Sequence, residues 1–553
     1  MTQYIELGRA LETKNSAMGT GTISKKNSRK IYNLLLIFAF LFVSLSGCSP
    51  QTMVSINSAE LKNVGVWPIT SPVAGIFPTS LYFYRFRSGT AQANIVGGGG
   101  DVPGEPGSNA NNFSQTITWY PIVDGVFLPN TIYTATLRLR PVSATRTFSE
   151  IPLEIAKTLP GLPTDGVTAI SAEHEDRDLL IHITFAATGE LQPANRIMYE
   201  DFALTYGSDL GRYFFHGPND NNRHGLSTWR DDVTYVRTSE TPNVGNELVI
   251  GFRKDPTLAP ADVSQAYRDN WIRSGVATTR TRNGTGRGNA TTFEHTFGFY
   301  EANIQFDAIR GMWGAFWLMG FQVSFFGDHP DSHGAIGTEI DIVETFYSWM
   351  EAARGPHAFN NAWHWNGYGE HHRTISMSHN YWTTGANVYD GNFHVFGLEW
   401  GPSYYVFFLN GVEIGRHADG AETSRRISRI AQNPNYIKFS IEAAYWAGGE
   451  GIDSPRIDAE YGEFRVDFVS VWDGPRPNII SYVANGGYGE MADSFVIRGF
   501  DYVLAENGFT RPGYRFVGWN TRSDGSGVTY REGDVITTST DIVDIRLYAQ
   551  WIY

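Results

Sequence analysis

The sequence predicts an all-β protein in which a large β-jelly-roll sandwich sits between smaller β-rich modules. Three observations carry that expectation. Glycine is abundant at 59 residues, Trp, Tyr and Phe number 15, 28 and 35, and charged residues make up only 18%, against roughly 25% in ordinary soluble domains. Short strand-like runs separated by Gly, Asn and Asp turns recur along the chain, as in Glu247–Phe252, Gly298–Phe306 and Tyr404–Leu409. No long segment keeps a 3.6-residue apolar period. With 553 residues, and roughly 150 per domain, three or four domains are expected.

The N-terminal segment reads as an export signal. Lys25, Lys26, Arg29 and Lys30 precede the apolar run Leu34–Val43, which ends in Leu45-Ser46-Gly47-Cys48. A basic stretch, a short apolar core and small residues at the cut make a secretory signal, and the apolar core is short for crossing a bilayer. The tetrapeptide resembles a bacterial lipobox, which implies a lipidated Cys48 and a chain held extracytoplasmically on a membrane or cell surface. Residues 1–48 are assigned to this signal. Cys48 is the only cysteine, so an intrachain disulfide and a Cys-based metal site are excluded. Asp and Glu total 57 against 43 Lys and Arg, a net charge of -14. Such a surface repels phosphate backbones, so nucleic acid is not an expected partner. A monomer is expected.

Residues 49–165 are expected to form a tether and a small β-sandwich. Tyr133, Ala135, Leu137 and Leu139 alternate with Thr134, Thr136, Arg138 and Arg140, the pattern of a half-buried strand. Gly97-Gly98-Gly99-Gly100, followed by Pro103, Gly104, Pro106 and Gly107, reads as a loop. Residues 166–475 carry the succession of short strands that is most economically two antiparallel sheets packed face to face. Pro475 and Pro477 mark an exposed joint. Residues 478–553 resemble an internalin-type B-repeat of bacterial surface proteins, through Ala484-Asn485-Gly486-Gly487, Phe509–Asn520, Asp524–Gly527 and Leu547–Trp551. That resemblance implies a compact β-grasp-like spacer or adhesive unit.

Within Gly337–Phe346 the carboxylates Glu339, Asp341 and Glu344 alternate with aliphatic residues. In a regular strand Glu339 and Asp341 share a face, whereas Glu344 points to the other. A one-residue bulge between Asp341 and Glu344 returns all three to one face and leaves Ile340 and Ile342 in the core. The two Glu Cα atoms then stand about 13 Å apart, a span two long side chains can close. Two carboxyls roughly 5–5.5 Å apart can cleave a glycosidic bond with retention, one attacking the anomeric carbon and the other protonating the leaving oxygen. A third carboxylate repels further negative charge and helps hold a neighbour protonated. A solvated strand face would show the same spacing, so the surroundings decide.

Those surroundings resemble glycoside hydrolase family 16 over most of residues 200–475. The acid strand has the family's bulged Glu-x-Asp-x-x-Glu pattern. Tyr300-Glu301-Ala302, Gly311–Met319, His364–Gly369, Tyr389–Trp400 and Val466–Trp472 follow in the family's order. The resemblance implies that Glu339 is the nucleophile, Asp341 its carboxylate neighbour and Glu344 the general acid/base. It further implies an endo-acting glycosidase on a β-1,3- or mixed β-1,3/1,4-glucan, with no cofactor. Asn366 and Asn410 depart from residues common in the family. Agar- and carrageenan-cleaving relatives share the bulged motif, so a galactan substrate stays open, as do transglycosylation and a non-catalytic carbohydrate-binding or adhesion role.

Trp313, Trp317 and Trp446 are candidates for stacking on sugar rings, with a place in the core as the alternative. His364 is either a partner of sugar or acids or a core histidine. Arg280 and Arg282 alternate with threonines and could both face the cleft; Arg282 is a candidate subsite contact, with a surface ion pair as the alternative. His364, His371 and His372 lack a second ligand set at metal spacing, so no metal is expected. Gly284–Gly288 is expected to be a turn.

Overall fold

A computed structural model describes residues 69, 71–78, 113–123, 125–141, 148, 152–159, 162–204, 210–217, 226–280, 292–320, 337–346, 357–366, 372–423, 426–427, 429–443 and 457–553. The signal with Cys48, the glycine-rich run 97–107, Arg282, Gly284–Gly288, His371 and Trp446 lie outside the described residues. Among the described residues no helix is long and apolar enough to cross a membrane. The protein is all-β, a jelly-roll sandwich with β-modules before and after it.

The first module is a four-stranded sheet of Phe113–Tyr120, Thr134–Pro141, Asp178–Phe185 and Val167–Glu175, in that order. Its alternating strand buries Ala135, Leu137 and Leu139 against Ile181, Ile183, Phe148 and Leu159. This corrects the expected boundary at residue 165. The sheet continues through a hairpin turned at Asp176, whose φ is 54°, and ends at Phe185. The inner residues of Asp178–Phe185 are the other half of the module's core, so the module cannot close without them. Among the described residues it is one sheet covered on one side, not a two-sheet sandwich.

The jelly roll packs a ten-stranded sheet against a seven-stranded one. The larger sheet includes His394–Trp400, Gly298–Phe306, Tyr461–Trp472 and Asn246–Lys254 as neighbours. The smaller runs Arg373–His379, Phe359–Trp365, Gly337–Phe346, Trp313–Gly320, Asn435–Glu442, Val276–Thr278, Phe215–His216. Their common core holds Phe316, Leu318, Ile340, Ile342, Val343, Phe359, Trp363, Phe439 and Ile441 from the smaller sheet, with Tyr300, Ala302, Phe464 and Val466 from the larger. Phe316 and Phe439 stack with ring centroids 4.8 Å apart. Period-2 alternation therefore sends Trp313, Ala315, Trp317 and Met319 to the opposite face, away from the core.

The C-terminal module is a five-stranded sheet in which Asn478–Val483 pairs in parallel with Ile545–Ile552, plus a two-stranded ribbon. Trp519, Phe509, Tyr482 and Leu547 form its core. The exposed joint expected at Pro475 and Pro477 is absent. Pro477 is buried, and Arg476 is 6% exposed between the jelly roll and the repeat. Its guanidinium donates to Glu301 at 2.9 Å and to both Asp544 oxygens at 3.0 and 2.7 Å. Asn410-Gly411, the hairpin turn after Tyr404–Leu409, has positive φ at both residues, and Gly411 accepts a hydrogen bond from Ile542 N at 3.0 Å. A Cβ on Gly411 would stand 2.2 Å from Ile542 O, so the turn needs glycine twice over, for its backbone angle and for the repeat lying on it.

Candidate active site

The acid strand Gly337–Phe346 is central in the smaller sheet, between Trp313–Gly320 and Phe359–Trp365. Its register shifts against Phe359–Trp365 between Asp341 and Glu344, and against Trp313–Gly320 between Phe316 and Trp317. This is the bulge that the carboxylate spacing demanded. Ile340, Ile342 and Val343 all enter the core, while Glu339, Asp341 and Glu344 lie opposite Met319, Trp317 and Ala315. The structure thus brings the three acids to one face, away from the core.

Their environments differ. The Glu339 and Asp341 side chains are 16% and 5% exposed, and His364 Nε2 lies 3.5 Å from Glu339 Oε1 and 3.2 Å from Asp341 Oδ2. His364 Nδ1 is 2.9 Å from His372 Nε2, and the two rings are nearly parallel. A neutral His364 that turns its Nε2–H to the acids must accept at Nδ1, so His372 Nε2–H is then the donor. Burial raises the Asp341 carboxyl well above the ordinary range, and the charge of Glu339 adds to the effect. Glu344 is likewise raised well above its ordinary value by burial and then by Asp341. Trp313 Nε1 donates to Glu344 Oε1 at 3.1 Å and Asn360 Nδ2 to Oε2 at 3.3 Å. The result is a buried carboxyl that holds its proton more tightly than an ordinary glutamate, as suits a general acid, beside a more exposed one.

Of the other sequence candidates, Trp313 is half-buried and reaches an acid with its indole nitrogen. His364 joins the acids from the neighbouring strand. Trp317 is on the acid face but is not an open stacking platform, which corrects its expected role. It is 6% exposed, its indole donates to Ser440 Oγ at 3.0 Å, and the Lys438 ammonium covers its ring at 3.8 Å. Arg280 is buried and ion-paired with Glu294 at 2.7 Å. His372, weighed in the sequence only for a metal, joins this face as the partner of His364, and Asn360, Lys438, Ser440 and Glu442 join it without having been singled out by motif or spacing. The alternation of Phe359–Trp365 puts Asn360 on the side of His364, a signal available once its pairing with the acid strand is known.

Glu339, Asp341 and His364 each place one donor atom within 4.8 Å of the others, a triangle able to receive a metal ion. The donors are two carboxylates and one imidazole, a set with precedent for divalent metals. Only Glu339 of this triangle belongs to the pair of carboxyls that glycosidic cleavage would employ directly, the other being Glu344, and that chemistry requires no metal.

Residues 259–470 match the family described as Glycosyl hydrolases family 16, within the span 200–475 of the sequence resemblance. Residues 479–550 match the Listeria-Bacteroides repeat domain. Similar solved structures include the Bacteroides ovatus mixed linkage glucan GH16 protein in complex with a G4G4G3G product, 18% identical with a TM-score of 0.36, covering 50% of this chain and 99% of that one. The laminarinase catalytic domain of Thermotoga maritima is 18% identical with a TM-score of 0.36, covering 51% and 98%. The endo-β-1,3-glucanase of Pyrococcus furiosus is 20% identical with a TM-score of 0.35, covering 50% and 94%. No curated protein matches the chain.

Proposed function

We propose, from the match of residues 259–470 to Glycosyl hydrolases family 16, which supports a glycosidase, that the protein cuts a β-1,3- or mixed β-1,3/1,4-glucan internally, by double displacement with retention. The observation that supports this most is the bulge in Gly337–Phe346, which gathers Glu339, Asp341 and Glu344 on one face. Glu339 attacks the anomeric carbon as Glu344 hands its proton to the departing glycosidic oxygen, leaving a glycosyl ester on Glu339. Glu344, now ionised, takes a proton from water, which attacks the same carbon and releases Glu339. Asp341, with its raised affinity for a proton and His364 beside it, limits the negative charge around Glu339 whenever that carboxylate is free, before its attack and after its release.

Incubation with laminarin, lichenan, agarose and carrageenan, with reducing ends and product sizes measured, tests the substrate. Oligosaccharides from laminarin or lichenan are expected, and cleavage of the galactans alone overturns the glucan assignment. A galactan is the second reading, because the bulged acid pattern of Gly337–Phe346 is also that of the agar- and carrageenan-cleaving proteins the acid strand resembles.

We further propose that the protein is exported and tethered by lipid at Cys48, on the support of the basic, apolar and Leu-Ser-Gly-Cys pattern alone. Metabolic labelling with a radioactive fatty acid in a bacterial host should mark the wild type and not Cys48→Ser. A wild type that stays unlabelled in its own host rules the anchor out.

A further inference from the structure

We propose that Asn361 and His379 are positioning residues that lock the register of the acid strand's bulge and thereby hold Glu344 on the same face as Glu339. This rests on the assignment of Glu344 as acid/base. Asp341 pairs with Ala362 and Glu344 with Asn360, so Ile342 and Val343 together stand opposite the single residue Asn361. A bulge of this kind leaves backbone groups outside the ladder. The Ile342 carbonyl is taken up by the Asn361 side-chain amide, which donates to it.

Asn361 is an unusual residue for its place. It is 1% exposed and follows the core side of its strand, in step with Phe359 and Trp363. A buried amide without partners is costly, and here both ends are engaged. With Nδ2 spent on the Ile342 carbonyl, Oδ1 must be an acceptor, and His379 Nε2 lies 2.6 Å from it. His379 therefore carries its hydrogen on Nε2 and fixes the orientation of the amide. Its ring is 5% exposed and stacks on Phe359 with centroids 5.2 Å apart. Burial lowers its pKa to about 4, so it is neutral at working pH.

An apolar core alone does not choose where the extra residue goes. Ile342 and Val343 are both aliphatic and both buried, and a slip of one position would turn the following side chain to the other face. That side chain is Glu344. The chain of contacts His379, Asn361, Ile342 carbonyl distinguishes one register from its neighbours, because only in that register does the amide find a bulge carbonyl.

The test separates positioning from simple core support by the demand placed on Glu344. A 2,4-dinitrophenyl β-laminaribioside, or the matching glycoside if a galactan is the substrate, has a leaving group that needs no proton. Its turnover by an enzyme lacking Glu344 then depends on the second step, which azide can perform without a base. Wild type, Glu344→Ala, Asn361→Ala, His379→Phe and His379→Gln are compared on polysaccharide and on the aryl glycoside, with and without azide. Asn361→Ala and His379→Phe should lose about tenfold or more in kcat on polysaccharide, with KM within about twofold. Azide should restore their turnover of the aryl glycoside, as it does for Glu344→Ala. His379→Gln, which keeps an N–H donor, should retain activity.

Equal losses on both substrates without azide rescue, or wild-type behaviour, overturn the inference. If Asn361→Ala does not fold, the contrast between His379→Phe and His379→Gln carries the same decision. Absence of azide rescue in Glu344→Ala itself would instead strike at the acid/base assignment.

Discussion

Glu339→Gln and Glu344→Gln should each lower turnover on polysaccharide by at least about 10²–10⁴-fold while leaving the fold and substrate binding intact, because each removes the chemical partner of one step. Activity near wild type in either would end the assignment. Azide distinguishes the roles. With Glu344→Ala it attacks the glycosyl ester from the face the leaving group vacated, giving a β-glycosyl azide. With Glu339→Ala it can only replace the missing nucleophile, giving the α-azide, and the reverse pattern would exchange the two residues.

Glu344→Gln should also be more stable than wild type at alkaline pH. The folded protein holds a proton on Glu344 above the ordinary value of 4.5, and the unfolded chain releases it there. The folded state then binds more protons than the unfolded one, so this group's contribution to stability falls as pH rises past that point. A tenfold difference in proton affinity between the two states is worth about 1.4 kcal/mol. The variant, which never ionises, should melt higher than wild type at pH 8 and alike at pH 4, at about 2–4 °C per kcal/mol. Identical melting differences at both pH values would show that burial does not raise this carboxyl.

Removal of residues 478–553 should lower the melting temperature by about 5 °C or more without changing turnover per folded molecule by more than about twofold. The repeat covers apolar surface of the larger sheet. Phe299, Val406, Phe408 and Trp472 are each 4% exposed or less and pack with Ile479 and Ile542 of the repeat. Trp472 and Phe495 meet edge to face at 5.4 Å. Glu399, on His394–Trp400, is paired with Arg498 and accepts from Tyr404 at 3.0 Å. Truncation exposes these side chains, at roughly 25 cal/mol per Å² of apolar area returned to water. The acids lie on the other sheet, and no described contact joins them to the repeat.

In the full chain, Arg498→Ala leaves Glu399 buried without its cation and is expected to cost about 3–5 kcal/mol. Thermal melting and soluble-substrate kinetics on the truncated and full-length proteins decide the matter. An unchanged melting temperature would return the repeat to the status of an independent bead on an exposed joint, as its sequence alone suggested.

The features legible in the order of residues were local and periodic. Glycine and aromatic content with short alternating runs led to a β-sandwich, because strand side chains repeat every two residues. The spacing of Glu339, Asp341 and Glu344 required a bulge, because five steps along a regular strand reverse the face. Trp313 and His364 were legible beside them through the family resemblance. Tertiary structure alone decided which groups met across strands. Asn361 and His379 are 18 residues apart and signal nothing in isolation; their roles arise when one sits opposite a bulge and the other closes on its amide. Trp317 was indistinguishable from a sugar platform until Lys438 and Ser440, on the adjacent strand, were found against it. The joint at Arg476 looked like a linker because proline is a local signal, whereas its burial depends on Glu301 and Asp544, 175 residues before it and 68 after. Periodicity and turn chemistry act over a few residues and survive in the sequence; pairing and burial depend on distances that only the folded chain closes.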